Sequence, residues 1–320
     1  MKEGVRLSSW HYKAVIISVF FSMLGYLAFS FWGGRAEVGE AVVKVGVWGV
    51  TIALLMSSLN YGLRFLRWQG YLDAFGHSVP WKPSLQIYLA GFALTTTPGK
   101  AGEALRGILL KRWGVPYTQS FAAFVSERLC DLLAVVLLTL LGLTIYPDAR
   151  PIILVGAILV VAGFFILSQR KWVEYLADLL PAQGGKVIGL LRQFFNVLLE
   201  TQKCHRPVRL LGATLLSITA WSAEALAFYW VLNWMGLDIT LFFAVFVYAL
   251  ALLAGALSFM PGGLGGAEAV MVAFLVWKGV PNGDAVAATL IIRLTTLWFA
   301  VGVGVCALTN SYSFSDESRP

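Results

Sequence analysis

Long apolar runs, separated by short segments rich in lysine and arginine, dominate the pattern of hydrophobic and polar positions along the chain. Runs of about 17 to 25 residues with few charges can cross roughly 30 Å of hydrocarbon as a helix. The helices predicted in this way lie at about 14–33, 45–68, 117–145, 152–168, 210–234 and 285–308. The pattern predicts an all-α polytopic membrane protein, with one transmembrane domain over 1–310 and a polar tail at 311–320.

Composition supports this class of protein. Hydrophobic residues make up 58% of the 320 residues and charged residues 13%, whereas soluble domains carry about 25% charged residues. The net charge of +7 is interpreted as basic cytoplasmic loops rather than as a nucleic-acid site. The three cysteines have no metal-ligand spacing and imply no disulfide framework. Cys130 and Cys306 are expected in the core because they lie in apolar segments.

Two further apolar segments are interrupted by glycine and proline, and in the first of them neither piece beside the break is long enough to span a membrane. The first segment runs over 84–97 and 103–112, and its break contains Pro98, Gly99 and Gly102. The second segment runs over 241–260 and 267–278, and its break contains Pro261, Gly262, Gly263 and Gly265. We predict that both are re-entrant hairpins, so that the domain has about six transmembrane helices plus two hairpins. The alternative is that each broken segment crosses the membrane as one kinked helix.

Basic residues determine the predicted orientation, because lysine and arginine concentrate on the cytoplasmic side. The segment 170–209 is amphipathic and basic, and is predicted to be a cytoplasmic connector. Lys2, Arg6 and Lys13 place the N-terminus on the same side. The first apolar run, 14–33, is interpreted as an uncleaved helix. The expected location is a bacterial cell inner membrane.

The two breaks align as a repeat. Glu103 stands 11 residues before Gly114, and Glu268 stands 11 residues before Gly279. Both of these glycines open the same tripeptide, Gly-Val-Pro. Agreement of several landmarks without gaps indicates an internal duplication.

A second landmark extends the repeat. Arg128 and Arg293 each follow the acid of their own half by 25 residues. The halves lie at about 45–168 and 210–308, and the predicted topology separates them by three crossings. The repeats are therefore predicted to be inverted, as in alternating-access transporters. Irregular backbone at membrane depth is tolerated beside protein or a water-filled cavity, so the breaks should line a cavity.

Ionisable residues inside apolar segments form the candidate site, because each is costly in a membrane. The candidate substrate-binding residues are Arg64, Lys100, Glu103, Arg106, Glu127, Arg128, Asp131, Glu224, Glu268 and Arg293. Glu127 and Asp131 share one helix face, and Arg128 is spaced to pair with Asp131. Alternatively, these charges only pair with one another and fix the packing. Arg67 and Lys111 are expected to extend to the membrane interface.

Arginines facing a cavity suit an anionic group, above all a phosphate, because the guanidinium fork matches phosphate oxygens. Arg128 and Arg293 are the predicted phosphate ligands. Glu103 and Glu268 are expected to cap their half-helices, or else to bind a cationic head group or a coupling proton. We recognise no nucleophile elbow, zinc spacing or phosphate-binding loop in the sequence, so neither an enzyme nor a cofactor is expected.

Three stretches resemble one known family: Thr97-Pro-Gly-Lys-Ala-Gly-Glu-Ala-Leu-Arg106, Ser126-Glu-Arg-Leu-Cys-Asp131 and Pro261-Gly-Gly-Leu-Gly-Gly-Ala-Glu268. They are similar to the transmembrane domain of lysylphosphatidylglycerol synthase/flippase proteins, and the resemblance extends over nearly the whole chain. It implies a domain that moves lipids with polar head groups between leaflets. The soluble synthase domain of fused members is not expected here, so only lipid translocation carries over.

The leading hypothesis is flipping of a phosphate-bearing, aminoacylated or glycosylated lipid. One alternative is a membrane-embedded lipid-modifying enzyme. Another is an accessory subunit of a lipid or polyprenyl pathway that docks a lipid-synthesising enzyme through 170–209. The expected partner is a membrane lipid, with such an enzyme as a second candidate. Nucleic acid is not expected, and a homo-oligomer is left open.

Overall fold

A computed structural model describes residues 35–96, 101–142, 150–181, 185–258 and 260–317. Every regular element within these ranges is helical. The predicted helix at 14–33 lies outside the described residues, and so do Pro98, Gly99 and Lys100. The all-α class predicted from the apolar runs is therefore confirmed for the described part of the chain.

Twelve α-helices follow one another along the described ranges. They are α1 (Arg35–Ala74), α2 (Trp81–Ala90), α3 (Ala101–Lys111), α4 (Tyr117–Thr139), α5 (Arg150–Ser168), α6 (Arg170–Asp178), α7 (Lys186–Thr201), α8 (Pro207–Trp234), α9 (Leu241–Leu257), α10 (Gly266–Trp277), α11 (Asn282–Arg293) and α12 (Phe299–Glu317). Short 3₁₀ turns lie at Gly91–Leu94 and Pro261–Gly263, and the π-helix Leu294–Trp298 joins α11 to α12. The segment that was predicted as one helix at 285–308 therefore contains a π-helical turn.

By length and composition, three described helices could cross a membrane: Glu37–Ala74, Pro207–Trp234 and Asn282–Thr309. A fourth span arises if Leu154–Ile166 and Arg170–Asp178, which meet at an 80° bend, are counted together. Helix α4 has 23 residues, but three charged residues interrupt its apolar surface. These helices are consistent with a membrane protein, and the count of six spans stays a prediction.

The first broken segment folds back on itself. A Cβ atom added to Gly102 on α3 would stand 2.2 Å from the carbonyl oxygen of Gly91, which follows α2. Four residues later, the guanidinium carbon of Arg106 lies 4.4 Å from the ring centre of Tyr88 on α2. The contacts move backwards along α2 as they move forwards along α3, so the two arms form an antiparallel hairpin.

The second broken segment has the same shape. A Cβ atom on Gly266 would lie 2.9 Å from the side chain of Ser258, and the rings of Phe246 and Phe274 are 5.8 Å apart. Helices α9 and α10 are therefore antiparallel and in contact. In both segments the arms lie side by side rather than end to end as in one kinked helix. Their re-entrant placement in a membrane stays a prediction.

The repeated Gly-Val-Pro sequences form the same turn. Gly114 and Gly279 have φ angles of 78° and 94°, a left-handed conformation that favours glycine. The next residue in each turn donates its N–H to the carbonyl five residues earlier, as in a Schellman helix end. The proline then stands as the N-cap just before the next helix, with φ fixed by its ring. The aligned sequences therefore join α3 to α4 and α10 to α11 in the same way.

The buried apolar residues form one large group around each hairpin. One group joins α8, α9, α10 and α11, and the other joins α2 and α4. Helix α1 contributes to both, with its first half in one and its second half in the other. Cys130 is buried as expected, but Cys306 is exposed, so its predicted core position is wrong. Its segment is apolar throughout, and the sequence does not indicate which face of α12 is covered.

We expect Gly102→Ala to lower the stability of the protein by about 1–3 kcal/mol, the usual cost of forcing extra atoms into a packed interface. The reason is that the new methyl group would meet backbone atoms of Gly91 rather than a movable side chain. The control is Gly70→Ala, since a Cβ atom at Gly70 meets nothing within 4 Å. Thermal unfolding in detergent micelles measures both. Equal melting temperatures would contradict the close contact between α2 and α3.

Candidate functional site

A cluster of buried charges lies where α1, α3 and α4 meet. Its six charged members, which we call the arginine cluster, are Arg64 and Arg67 from α1, Arg106 from α3, and Glu127, Arg128 and Asp131 from α4. The helical spacing of Glu127 and Asp131 places both carboxylates on one face of α4. That face meets the arginines of the two other helices, so a single cluster collects residues from distant parts of the chain.

Arg67 lies at the centre of the arginine cluster, with only 1% of its side chain exposed. Its guanidinium donates to Asp131 Oδ1 at 2.6 Å and lies 3.6 Å from Glu127 Oε1. A third contact reaches the hydroxyl of Ser217 on α8. The prediction that Arg67 extends to the membrane interface is therefore wrong. Two helices, α4 and α8, supply polar partners that hold its side chain inside.

Arg106 fixes the first hairpin to the cluster. Its guanidinium donates to Glu127 Oε2 at 2.9 Å. The rings of Trp68, Tyr88 and Phe92 surround it, with centres 5.2, 4.4 and 5.7 Å from the guanidinium carbon. Cation–π contacts of this kind are strongest when water is excluded. The aromatic surroundings therefore stabilise a buried positive charge that the Glu127 carboxylate also contacts.

Asp131 binds arginines on its other side as well. Arg128 lies 3.1 Å from Asp131 Oδ2, which is the intrahelical pair that the spacing predicted. Arg64 lies 3.6 Å from the same oxygen, and its guanidinium also faces the ring of Trp221 at 5.1 Å. The side chain of Arg128 is 35% exposed, whereas the other cluster side chains are at most 9% exposed. Arg128 is therefore the most exposed member of the cluster.

The arginine cluster carries more positive than negative charge. Among the side chains that the structure describes, four guanidinium groups face two carboxylates. The Nε atoms of Arg64 and Arg67 have no hydrogen-bond partner within the described residues. Buried charge without full compensation destabilises a fold by several kcal/mol. An anion bound here would lower that cost, and guanidinium groups suit phosphate in particular.

A second, smaller charge site lies at the tip of the second hairpin. Arg293 on α11 donates from Nε to Glu268 Oε1 at 2.6 Å, and both side chains are at most 5% exposed. The same guanidinium donates to the carbonyl oxygen of Gly262 at 3.1 Å. Gly262 has a φ of 65°, which favours glycine at this position. The acid and the arginine that the repeat aligned are therefore in direct contact here.

Glu224 lies on α8 and is buried. It accepts a hydrogen bond of 2.6 Å from the hydroxyl of Tyr248 on α9. Arg64 and Arg293 both interact with it electrostatically. Glu224 therefore interacts electrostatically with one arginine of the arginine cluster and with the arginine of the Glu268–Arg293 pair.

The predicted candidates separate into three groups. Five of them, Arg64, Arg106, Glu127, Arg128 and Asp131, come together in the arginine cluster, while Glu268 contacts Arg293 and Glu224 contacts Tyr248. The third group is outside the description: Glu103 lies in α3 but its side chain is not described, and the same holds for the side chain of Pro261.

Sequence reasoning missed three members of the site. Arg67 was assigned to the interface, and Ser217 and Tyr248 were not considered. The position of Arg67 could have been recognised, because it follows Arg64 by three residues and so shares its helix face. Ser217 and Tyr248 are single polar groups on long apolar helices and give no comparable signal.

Comparison with known proteins places this architecture in a family. The family model described as the lysylphosphatidylglycerol synthase TM region matches residues 14–304. A UPF0104 membrane protein of Methanothermobacter thermautotrophicus is 26% identical, over 86% of this chain and 89% of the relative. A UPF0104 membrane protein of Pyrococcus horikoshii is 25% identical, over 85% of this chain and 90% of the relative.

A relative with an enzyme name matches only in part. The phosphatidylglycerol lysyltransferase of Staphylococcus haemolyticus is 27% identical over 51% of this chain, which corresponds to 19% of the relative. The family match covers most of the chain and includes both hairpins, the arginine cluster and the Glu268–Arg293 pair. This chain is a membrane protein that belongs to the lysylphosphatidylglycerol synthase TM region family.

Proposed function

We propose that this protein translocates a phosphate-bearing lipid between the leaflets of a membrane, and that the arginine cluster binds the head group. The observation that carries this proposal is the buried excess of guanidinium over carboxylate among the described side chains. Charged residues inside a membrane are rare and mark substrate or ion pathways. A cluster with a positive excess fits an anion that passes through or pauses there.

The exposures give the cluster members different roles. Arg128 is the most exposed of them, so it meets the phosphate first. Arg64 follows, because its Nε has no hydrogen-bond partner within the described residues. Glu127 and Asp131 hold the arginines in place and limit the net charge when no lipid is bound. The pair Glu268–Arg293 occupies the corresponding place in the second half, where we propose that it opens and closes with transport.

Relatives support a lipid as the substrate. The partial match to a phosphatidylglycerol lysyltransferase connects part of this chain with a protein that is named for a phospholipid. The family name also refers to a phospholipid. If the substrate were a free anion, there would be no reason for relatives to be named for a phospholipid. The head group would enter between the hairpins while the lipid tails keep apolar surroundings.

The test is a liposome assay with purified protein and two fluorescent probes, a phosphatidylglycerol and a polyprenyl phosphate. Arg128→Ala is expected to slow probe translocation by about tenfold or more, because a charged hydrogen bond contributes about 1.5–3 kcal/mol. Arg128→Lys keeps the charge and should retain an intermediate rate. Arg112→Ala is the matched control, since Arg112 is exposed just beyond the end of α3. Wild-type rates in both Arg128→Ala and Arg293→Ala would overturn the proposal.

The partial match to a lysyltransferase also favours a second candidate, a lipid-modifying enzyme. Formation of a modified lipid by the purified protein, with no other enzyme present, would support this candidate. If the purified protein moves lipid between leaflets and forms no modified lipid, transport does not depend on a lipid-modifying activity.

A further inference from the structure

An apolar groove opens between α1, α2 and α12, close to the arginine cluster. Its volume is about 730 Å³, and among the described residues that line it Gln86 is the only one with an amide or charged side chain. Leu54, Leu89 and Val303 are among the aliphatic residues that line it. The π-helix Leu294–Trp298 forms part of its wall. Single π-helical turns are frequent at functional sites, because they shift side chains out of the regular helical positions.

Three aromatic rings connect this groove to the arginine cluster. Phe299 lines the groove and stacks on Tyr61 with ring centres 5.9 Å apart. The Tyr61 ring lies 5.1 Å from the ring of Phe92. The Phe92 ring in turn lies 5.7 Å from the guanidinium carbon of Arg106 and 5.9 Å from that of Arg64. One wall therefore has hydrocarbon lining on one side and buried arginines on the other.

A hydrogen bond fixes the middle ring of this wall. The Tyr61 hydroxyl donates to the carbonyl oxygen of Thr296 at 2.6 Å. Thr296 belongs to the π-helix, whose flanking residues line the groove. The position of the π-helix is therefore linked to the position of the ring that separates the groove from the arginines.

We propose that the groove binds a hydrocarbon chain of the same lipid whose phosphate binds at the arginine cluster. This inference rests on the proposed function. A ligand that occupies both places has an anionic end and an apolar end, which is the chemistry of a membrane lipid. Hydrocarbon gains little by leaving other lipid tails for a protein groove, because both are apolar. Selective binding of the hydrocarbon chain in the groove therefore depends on binding of the head group at the arginine cluster.

The native thiol of Cys306 is a built-in reporter for the groove. Cys306 lines the groove and is exposed, whereas Cys130 and Cys204 are buried. The measurement is the rate of Cys306 alkylation by N-ethylmaleimide in dodecyl maltoside micelles. Dioleoylphosphatidylglycerol is expected to slow the alkylation by about tenfold, which corresponds to about 1.4 kcal/mol. Dioleoylglycerol has the same chains and lacks the phosphate, so it should slow the alkylation far less.

Filling the groove gives an independent test. A Cβ atom on Gly302 meets nothing within 4 Å, and Gly302 lines the groove, so Gly302→Phe places a ring there without a clash at Cβ. This variant is expected to lose both the effect of added phosphatidylglycerol on Cys306 and most lipid translocation. Gly156→Phe on the exposed surface of α5 is the matched control, because a Cβ atom there also meets nothing. It should behave as the wild type.

The outcomes separate this inference from the proposed function. Protection of Cys306 by phosphatidylglycerol without any translocation would support the groove and overturn the transport function. Translocation that depends on Arg128 but proceeds at the wild-type rate in Gly302→Phe would overturn the groove and leave the function standing. Equal protection by dioleoylglycerol would also overturn the inference.

Discussion

Replacing Arg67 with leucine is expected to destabilise the protein by about 3–5 kcal/mol, the cost of removing one partner from a buried ion pair. Arg67 is the arginine that contacts both acids of the cluster. Without it, Glu127 keeps its contact with Arg106, and Asp131 keeps only the contacts through Oδ2. The carboxylate oxygens that faced Arg67 would stay buried without a positive partner.

The Arg67→Leu substitution should also remove a contact outside α1 and α4. Arg67 also contacts the hydroxyl of Ser217, so its side chain joins α1 to α8 as well. Leucine cannot replace any of these hydrogen bonds. We therefore expect a lower melting temperature in detergent micelles and a lower yield of folded protein from membranes.

The matched control for Arg67→Leu is Arg170→Leu. Arg170 and Glu174 form an ion pair at the same distance of 2.6 Å, but the two side chains are 72% and 43% exposed. Exposed pairs contribute little, because water screens the charges and the side chains lose freedom. We expect no measurable change in the melting temperature of this variant. Similar losses in the two variants would contradict the central role of Arg67.

The sequence predicted the helices well, because glycine, proline and apolar run length act locally. The Gly-Val-Pro tripeptides are the clearest case, since Gly114 and Gly279 adopt the same left-handed turn. The breaks around Gly102 and Gly262 were likewise recognised from composition alone. What the local signals could not provide was the contact between arms. Whether two short helices lie side by side or end to end depends on packing such as that of Gly102 against Gly91.

The sequence identified most residues of the site, but it did not predict how they contact one another. Arg106 and Asp131 were identified as candidates because ionisable side chains are energetically costly inside a membrane. Both lie in the arginine cluster. The same argument placed Arg67 at the interface, because its position near the predicted helix end at 68 allowed an escape to water. Helix α1 extends to Ala74, six residues further. The longer helix carries Arg67 into the interior, where α4 and α8 meet it.

The repeat predicted equal roles for Arg128 and Arg293, and the structure gives them different surroundings. Arg128 contacts an acid on its own helix and remains partly exposed. Arg293 contacts the acid of the adjacent hairpin and is buried. The difference follows from sequence, because threonine occupies position 296 where the first half has Asp131. Thr296 carries no charge, and Arg293 contacts Glu268 instead.

Variants of the Glu268–Arg293 pair can show whether the pair only stabilises the fold or also takes part in transport. Arg293→Leu alone should destabilise the protein by about 3–5 kcal/mol, because it leaves the Glu268 carboxylate buried without its 2.6 Å partner. Glu268→Leu alone should have a similar cost, since it leaves a buried guanidinium. Replacing both residues by leucine removes both charges, and such replacements are often neutral or stabilising. The double variant should therefore regain most of the lost stability.

Melting temperatures of the single and double variants measure the coupling between the two residues. Losses that simply add in the double variant would contradict a direct contact between them. Lipid translocation in liposomes then separates the two roles of the pair. If Glu268 and Arg293 open and close with transport, the stable double variant should move the fluorescent lipid at least about tenfold more slowly than the wild type. Transport at the wild-type rate would mean that the pair only fixes α11 against the hairpin tip, which is the alternative that the charge pattern left open.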